Sequence, residues 1–174
     1  KGDCGEAESF FETGKMEEAW VGQWISPGER RNAVLEKRFM LAETPESARI
    51  YITGLGLYRL FVNGSPASDE VLTPGLNAYD RWVQVQTFDV GPLLQKGENK
   101  LEIWLGGGIS RGRFSFTASD GYEYCPYDCA IAELRAVSAG GETVIGTDES
   151  WRWRASANGG RIPYNGEVWG SGGG

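Results

Sequence analysis

Histidine is absent from the 174-residue chain. That excludes a Ser-His-Asp triad, a Cys-His nucleophile pair and any histidine-ligated metal within this polypeptide. Cysteine is scarce: three thiols cannot make a four-cysteine zinc set, and their spacing fits no zinc pattern. An odd number also argues against a secreted domain framed by disulfides. Positive charge is short, with 17 Lys and Arg against 24 Asp and Glu, a net charge of −7. Nucleic acid, which demands a surplus of cations, is therefore not an expected partner. No apolar run approaches the ~18 residues of a helical membrane span, so a membrane is not expected either. No basic-then-apolar start marks a signal peptide, which leaves secreted, periplasmic and cytoplasmic locations all open. Helical periodicity is missing over any stretch of ten residues, as are internal repeats and heptads.

What the chain does have is alternation. With 40% apolar and 24% charged residues it has the composition of an ordinary globular domain. Its length suffices for one core, since a domain of this size buries roughly 70% of its unfolded surface. Residues 47–53 place Ile50 and Ile52 on one side and Arg49, Tyr51 and Thr53 on the other. This is the two-residue period of a strand with one buried face. Leu101, Ile103 and Leu105 repeat it against Lys100 and Glu102. Residues 57–63 are apolar on both faces, the pattern of a strand covered twice, and Asn63-Gly64 supplies the pair that a tight hairpin turn needs. Residues 34–41, 82–90, 129–137 and 142–145 also read as strands. In 151–154 tryptophan and arginine alternate, which predicts Trp151 and Trp153 inward. Residues 110–116 and 162–169 read as further short strands, and 65–80 as a long loop of the kind that more often carries function than not. About nine or ten short strands separated by turn signals predict an all-β domain, most simply an antiparallel two-sheet β-sandwich.

Several pieces together resemble a known family. The runs ARIYITGLGLYRLFVNG and VLTPGLNAYDRWVQVQTFDVGPLLQKGENKLEIWLG are similar to the N-terminal β-sandwich of bacterial alpha-L-rhamnosidases. The upstream FFETGKMEEAWVGQWISP resembles that family's leading segment, and GTDESWRWRAS with IPYNGEVW its closing strands. The resemblance implies a jelly-roll, galactose-binding-like sandwich at 14–169. Residues 1–13 would be the remnant of a preceding fibronectin-III-like domain and 170–174 a Gly/Ser tail. It further implies a fragment of a glycosidase without its catalytic α/α-barrel. Some such sandwiches bind rhamnose through calcium and others pack on the barrel, so the implied partners are the barrel domain and rhamnosyl glycans, and the implied ion is Ca²⁺. The chain departs from the family pattern twice. Gly107 and Ile109 replace an Asp and a Trp, and Leu76 replaces a Trp after Pro74-Gly75, which removes groups that would hold a metal or stack on a sugar.

The candidate chemistry sits on loops. A sugar site needs an aromatic face and polar groups for hydroxyls. Asn77, Tyr79 and Asp80, with Arg81 and Trp82, offer both; the plainer reading is a turn whose Asn and Asp bond their own backbone while Trp82 enters the core. Arg111 and Arg113 form a second candidate, two guanidinium forks suited to carboxylates or hydroxyls, or else a solvated or interdomain ion pair. By resemblance Asn165 and Glu167 serve an interdomain face. Calcium has Asp69, Glu70, Asp80, Asp120, Glu123, Asp128, Asp148 and Glu149 to draw on, in no calcium-loop spacing. Cys125 and Cys129, flanking Pro126-Tyr127-Asp128, read as a disulfide or redox pair, or more plainly as two buried thiols. Three functions compete: a packing module, a carbohydrate-binding module, and a glycosidase in its own right, the last needing two carboxylates across a cleft.

Overall fold

The described residues of the computed structural model are 8, 9, 11–108, 110, 124–159, 168 and 169. They form strands β1 (Ala33–Leu41), β2 (Ser47–Leu55), β3 (Leu57–Val62), β4 (Ser65–Pro66), β5 (Gln86–Asp89), β6 (Gly97–Gly106), β7 (Cys129–Ser138), β8 (Gly141–Gly146), β9 (Arg152–Ala155), β10 (Asn158–Gly159) and β11 (Val168–Trp169). One turn of 3₁₀-helix, Gly91–Leu93, opens on Pro92, and no α-helix occurs among the described residues. Two antiparallel sheets result, one ordered β4-β3-β6-β1-β9 and the other β5-β2-β7-β8, beside a separate β10-β11 pair. The core lies between the two sheets. Ile50, Ile52 and Leu134 come from the four-stranded sheet, and Leu35, Leu60, Leu101, Ile103 and Leu105 from the five-stranded one. The alternation in 47–53 and 101–105 thus does what its period requires.

The β3–β4 hairpin turns on Asn63 (φ 51°) and Gly64 (φ 84°), the conformation that a two-residue hairpin of matching twist needs. Three expectations are corrected. Strand β3 is covered on one face only: Tyr58, Leu60 and Val62 are buried, whereas Leu57 and Phe61 are half-buried and Arg59 is exposed. Phe61 instead packs on Trp104, ring centroids 5.0 Å apart, with Arg59 over its face. The strand expected over 82–90 shrinks to β5, because 77–84 closes into a loop of its own. Trp153 does not enter the core. It is 42% exposed because β9 is an edge strand beside Leu35, while Trp151, before that strand, is buried and donates its indole N–H to Gly146 O at 3.0 Å. The strands expected at 111–116 and 162–167 lie outside the described residues.

Residues 12–26 lie across the outer face of the four-stranded sheet. Gln23 N donates to Thr147 O at 2.6 Å, and Ile25 bridges to Ala130. At this crossing two backbones nearly touch, and a Cβ on Gly22 would stand 2.5 Å from Ala132 O. Beneath the segment lies Glu133, fully buried in β7. Its carboxylate accepts from Lys15 Nζ at 2.7 Å, Val21 N at 2.7 Å and Arg135 Nε at 2.8 Å. The Lys15 ammonium also sits 5.2 Å from the ring centroids of Trp20 and Tyr51. Burial pulls the Glu133 carboxyl upward, but the hydrogen bonds from Lys15, Val21 and Arg135 outweigh it and leave it below the ordinary value. At the surface, Arg49 donates to Glu12 at 2.7 Å and lowers its carboxyl in the same direction.

Gly22→Ala should cost about 1–3 kcal/mol of unfolding free energy, as forced overpacking does. Gly14→Ala, with nothing within 4 Å of the added methyl, should be neutral to about 0.5 kcal/mol; urea denaturation compares the two. Lys15→Met should cost about 3 kcal/mol, because it takes one of two cations from a buried carboxylate and leaves Arg135 alone to balance it, and K15M/E133L should recover most of it. A carboxyl lowered in the folded state stabilises fully above its unfolded value near 4.3 and loses that contribution as pH falls below it. The melting temperature of the wild type should therefore drop between about pH 5 and pH 3, and less steeply in the double variant.

Candidate functional site

The loop from 67 to 85 is the longest connection between two strands that is described throughout, and its own buried polar groups hold it in place. Ala67 N donates to Leu60 O at 3.0 Å, and Tyr58 N to Thr73 O at 2.9 Å. The Thr73 hydroxyl returns a bond to Tyr58 O. Gln86 Nε2 donates to Glu70 at 2.7 Å, and the Thr53 hydroxyl to Gln84 O at 2.7 Å. Asn77, only 4% exposed, accepts from Gln84 N at 2.9 Å and donates to Gly75 O at 3.2 Å. The loop is thus tied to β2, β3 and β5 through residues 67–73 and 84, while Asn77 braces its middle. Burial, with the Glu70 carboxylate nearby, pushes the Tyr58 phenol up, so it stays protonated and donates to Gln86 Oε1.

The sequence candidates fall in different settings. Asn77 and Tyr79 come together at one carbonyl, since the Tyr79 hydroxyl also donates to Gly75 O, at 3.4 Å. The Tyr79 ring packs on Tyr124, centroids 5.4 Å apart, and burial pushes its phenol up. Asp80 stays on the surface, 3.7 Å from Arg81 Nε. Trp82 does not enter the core but stands exposed beside them. Arg111, Arg113, Asn165 and Glu167 lie outside the described residues. Among the described residues no three His, Cys, Asp or Glu side chains gather as a metal would need. Glu70 is engaged by Gln86 and Asp80 by Arg81, so the described residues do not fit a calcium cage. Gly108 presses on Gly56, where a Cβ would stand 2.8 Å from the Gly56 carbonyl carbon. A close backbone approach thus accounts for one glycine of the triple run.

Cys125 and Cys129 are free thiols, both half-buried. Cys125 Sγ donates to Tyr127 O at 2.9 Å. Burial, reinforced by Cys125, pushes the Cys129 thiol up to about 12, which leaves almost no thiolate to act as nucleophile near neutral pH. Among the described residues, the carboxyls that their surroundings move, Glu12, Glu133 and Asp148, all move downward, opposite to what a glycosidase general acid needs. Sequence reasoning missed the Lys15–Glu133 pair. Its signal was Glu133 and Arg135 placed inside the otherwise mostly apolar run of β7.

The model of the alpha-L-rhamnosidase N-terminal domain family matches residues 43–171. This chain belongs to that family. The curated alpha-L-rhamnosidase of Streptomyces avermitilis is 29% identical over 154 residues, 86% of this chain but 15% of that enzyme. One from Formosa agariphila is 28% identical over 146 residues, 82% of this chain and 15% of the relative. Among solved structures, the native Aspergillus terreus alpha-L-rhamnosidase superposes with a TM-score of 0.75 at 28% identity, over 83% of this chain and 18% of that one. The Streptomyces avermitilis enzyme complexed with L-rhamnose gives 0.74 at 27% identity, over 80% and 14%. This rhamnosidase domain therefore spans 13–17% of the length of the curated relatives it matches. The family model covers β2 onward, so β1 and the Lys15 segment precede the matched stretch.

Asn77→Ala should cost about 1–3 kcal/mol, because it deletes a buried side chain that makes two hydrogen bonds, from Gln84 N and to Gly75 O, at about 0.5–1.5 kcal/mol each. Asp80→Ala on the same loop should be neutral to about 0.5 kcal/mol. Chemical denaturation of the two variants measures the difference.

Proposed function

We propose that this chain is a non-catalytic accessory module of an alpha-L-rhamnosidase-like glycoside hydrolase, a jelly-roll sandwich that packs on the catalytic domain. The observation that carries this reading is the mismatch of coverage: the relatives cover four-fifths or more of this chain, and it covers about a seventh of them. The downward-shifted carboxyls and the protonated thiol support a module without cleavage chemistry of its own. In this reading Asn165 and Glu167 serve the interdomain face, and residues 1–13 belong to a preceding domain. A second reading, engagement of rhamnosyl glycans through Tyr79, Asp80, Arg111 and Arg113, with Asn77 shaping the loop, draws on exposed Trp82 beside polar groups.

Purified chain incubated with an aryl alpha-L-rhamnoside should release no aglycone above the uncatalysed rate; saturable turnover would overturn the proposal. Tryptophan fluorescence titrated with L-rhamnose, with and without calcium, should stay unchanged for a packing module. A saturable change reversed by a chelator would favour the carbohydrate-binding reading instead.

A further inference from the structure

Five of the large apolar side chains that stand in solvent lie on one loop: Val71, Leu72, Leu76, Trp82 and Val85, 42–72% exposed. Scattered exposed apolar groups are ordinary, but a concentration of them marks a contact surface. At roughly 100 Å² each they reach the few hundred Å² at which such patches carry function. The loop is also built to hold them outward. Leu72 adopts φ 59°, a left-handed conformation unfavourable to a branched side chain, and leaves that side chain in water. Buried Thr73 and Asn77 fix the backbone on either side of Leu76. Strain kept together with exposed apolar surface points to a partner that is bound elsewhere in the protein's life. Asp69, Glu70, Asp80 and Arg81 are exposed on the same loop and give it the polar rim of an interface.

We propose that residues 71–85 form the face on which the remainder of an alpha-L-rhamnosidase polypeptide seats this domain. The inference rests on the accessory-module reading above and specifies its surface. The occupant follows from length: in the relatives, more than four-fifths of the chain lies outside the part matched here, and it must meet this domain somewhere. A free sugar is a poorer fit, because Asn77 and Tyr79, polar groups that would address hydroxyls, are both committed to Gly75 O.

Hydroxyl-radical footprinting reads side-chain exposure directly and needs no variant. It is run on the 174-residue chain and on the full-length polypeptide that contains it. Oxidation of Trp82, Leu72 and Leu76 should fall about ten-fold in the full-length protein, as in the core of an interface. Met40, exposed on β1, should react equally in both. Protection of Met40 or Trp24 with Trp82 unchanged would overturn the inference and leave the accessory reading standing. No protection at any site would overturn both. Protection of Trp82 by L-rhamnose, or by self-association of the 174-residue chain in sedimentation velocity, would also overturn it.

Discussion

One apolar layer, fed alternately from both sides, governs this domain. Successive strands mostly change sheets: β1 lies in one, β2 in the other, β3 and β4 in the first, β5 in the second, β6 in the first again. Within the two large sheets, among the described residues, only the β3–β4 and β7–β8 hairpins join sequence neighbours. Neither sheet can therefore be completed before the other. Ile50, Ile52 and Leu134 find their dry surroundings only when Leu35, Leu101 and Ile103 close over them. At about 1.5–3 kcal/mol for each fully buried large aliphatic side chain, this layer is the main favourable term.

The rest is arranged around that layer. Its outer four-stranded face is covered by residues 12–26, where a buried Glu133 is kept charged by Lys15 and Arg135. A charge in such a place is costly unless it is fully bonded, so the pair fixes where the segment crosses the sheet more than it adds stability. At the end of the sandwich the long loop is built with the same economy. Its buried polar side chains bond backbone, Asn77 within the loop and Thr73 on β3, and five of its large apolar ones stand in solvent. That inversion of the usual order makes sense in a domain that belongs to a family of multi-part enzymes and represents a small share of each.

Much of this was legible in the residues. Two-residue alternation marked the core faces of β2 and β6, because a pleated strand has no other way to hide Ile50, Ile52, Leu101 and Ile103. Asn63-Gly64 marked its hairpin through backbone sterics alone. What was not legible depended on position in the sheet. Trp153 has the same local pattern as Trp151, yet among the described residues its strand has a partner on one side only, β1, and the ring stays 42% exposed. Leu57 and Phe61 read as core on composition, but nothing buries that face of β3 completely. Asn77 carries the right chemistry for a ligand and spends it on Gln84 and Gly75; no spacing rule distinguishes the two uses. The acid inside β7 marked a buried charge, but its partner Lys15 lies 118 positions away, where no spacing rule reaches.

If the two sheets share one interleaved core, they must open together. Native-state hydrogen exchange tests this most directly, by comparing amides of β2 and β7 with those of β1 and β6 at increasing denaturant. All four strands should converge on a single opening free energy equal to that of global unfolding. A five-stranded sheet that exchanges at distinctly lower free energy while β2 and β7 stay protected would contradict it.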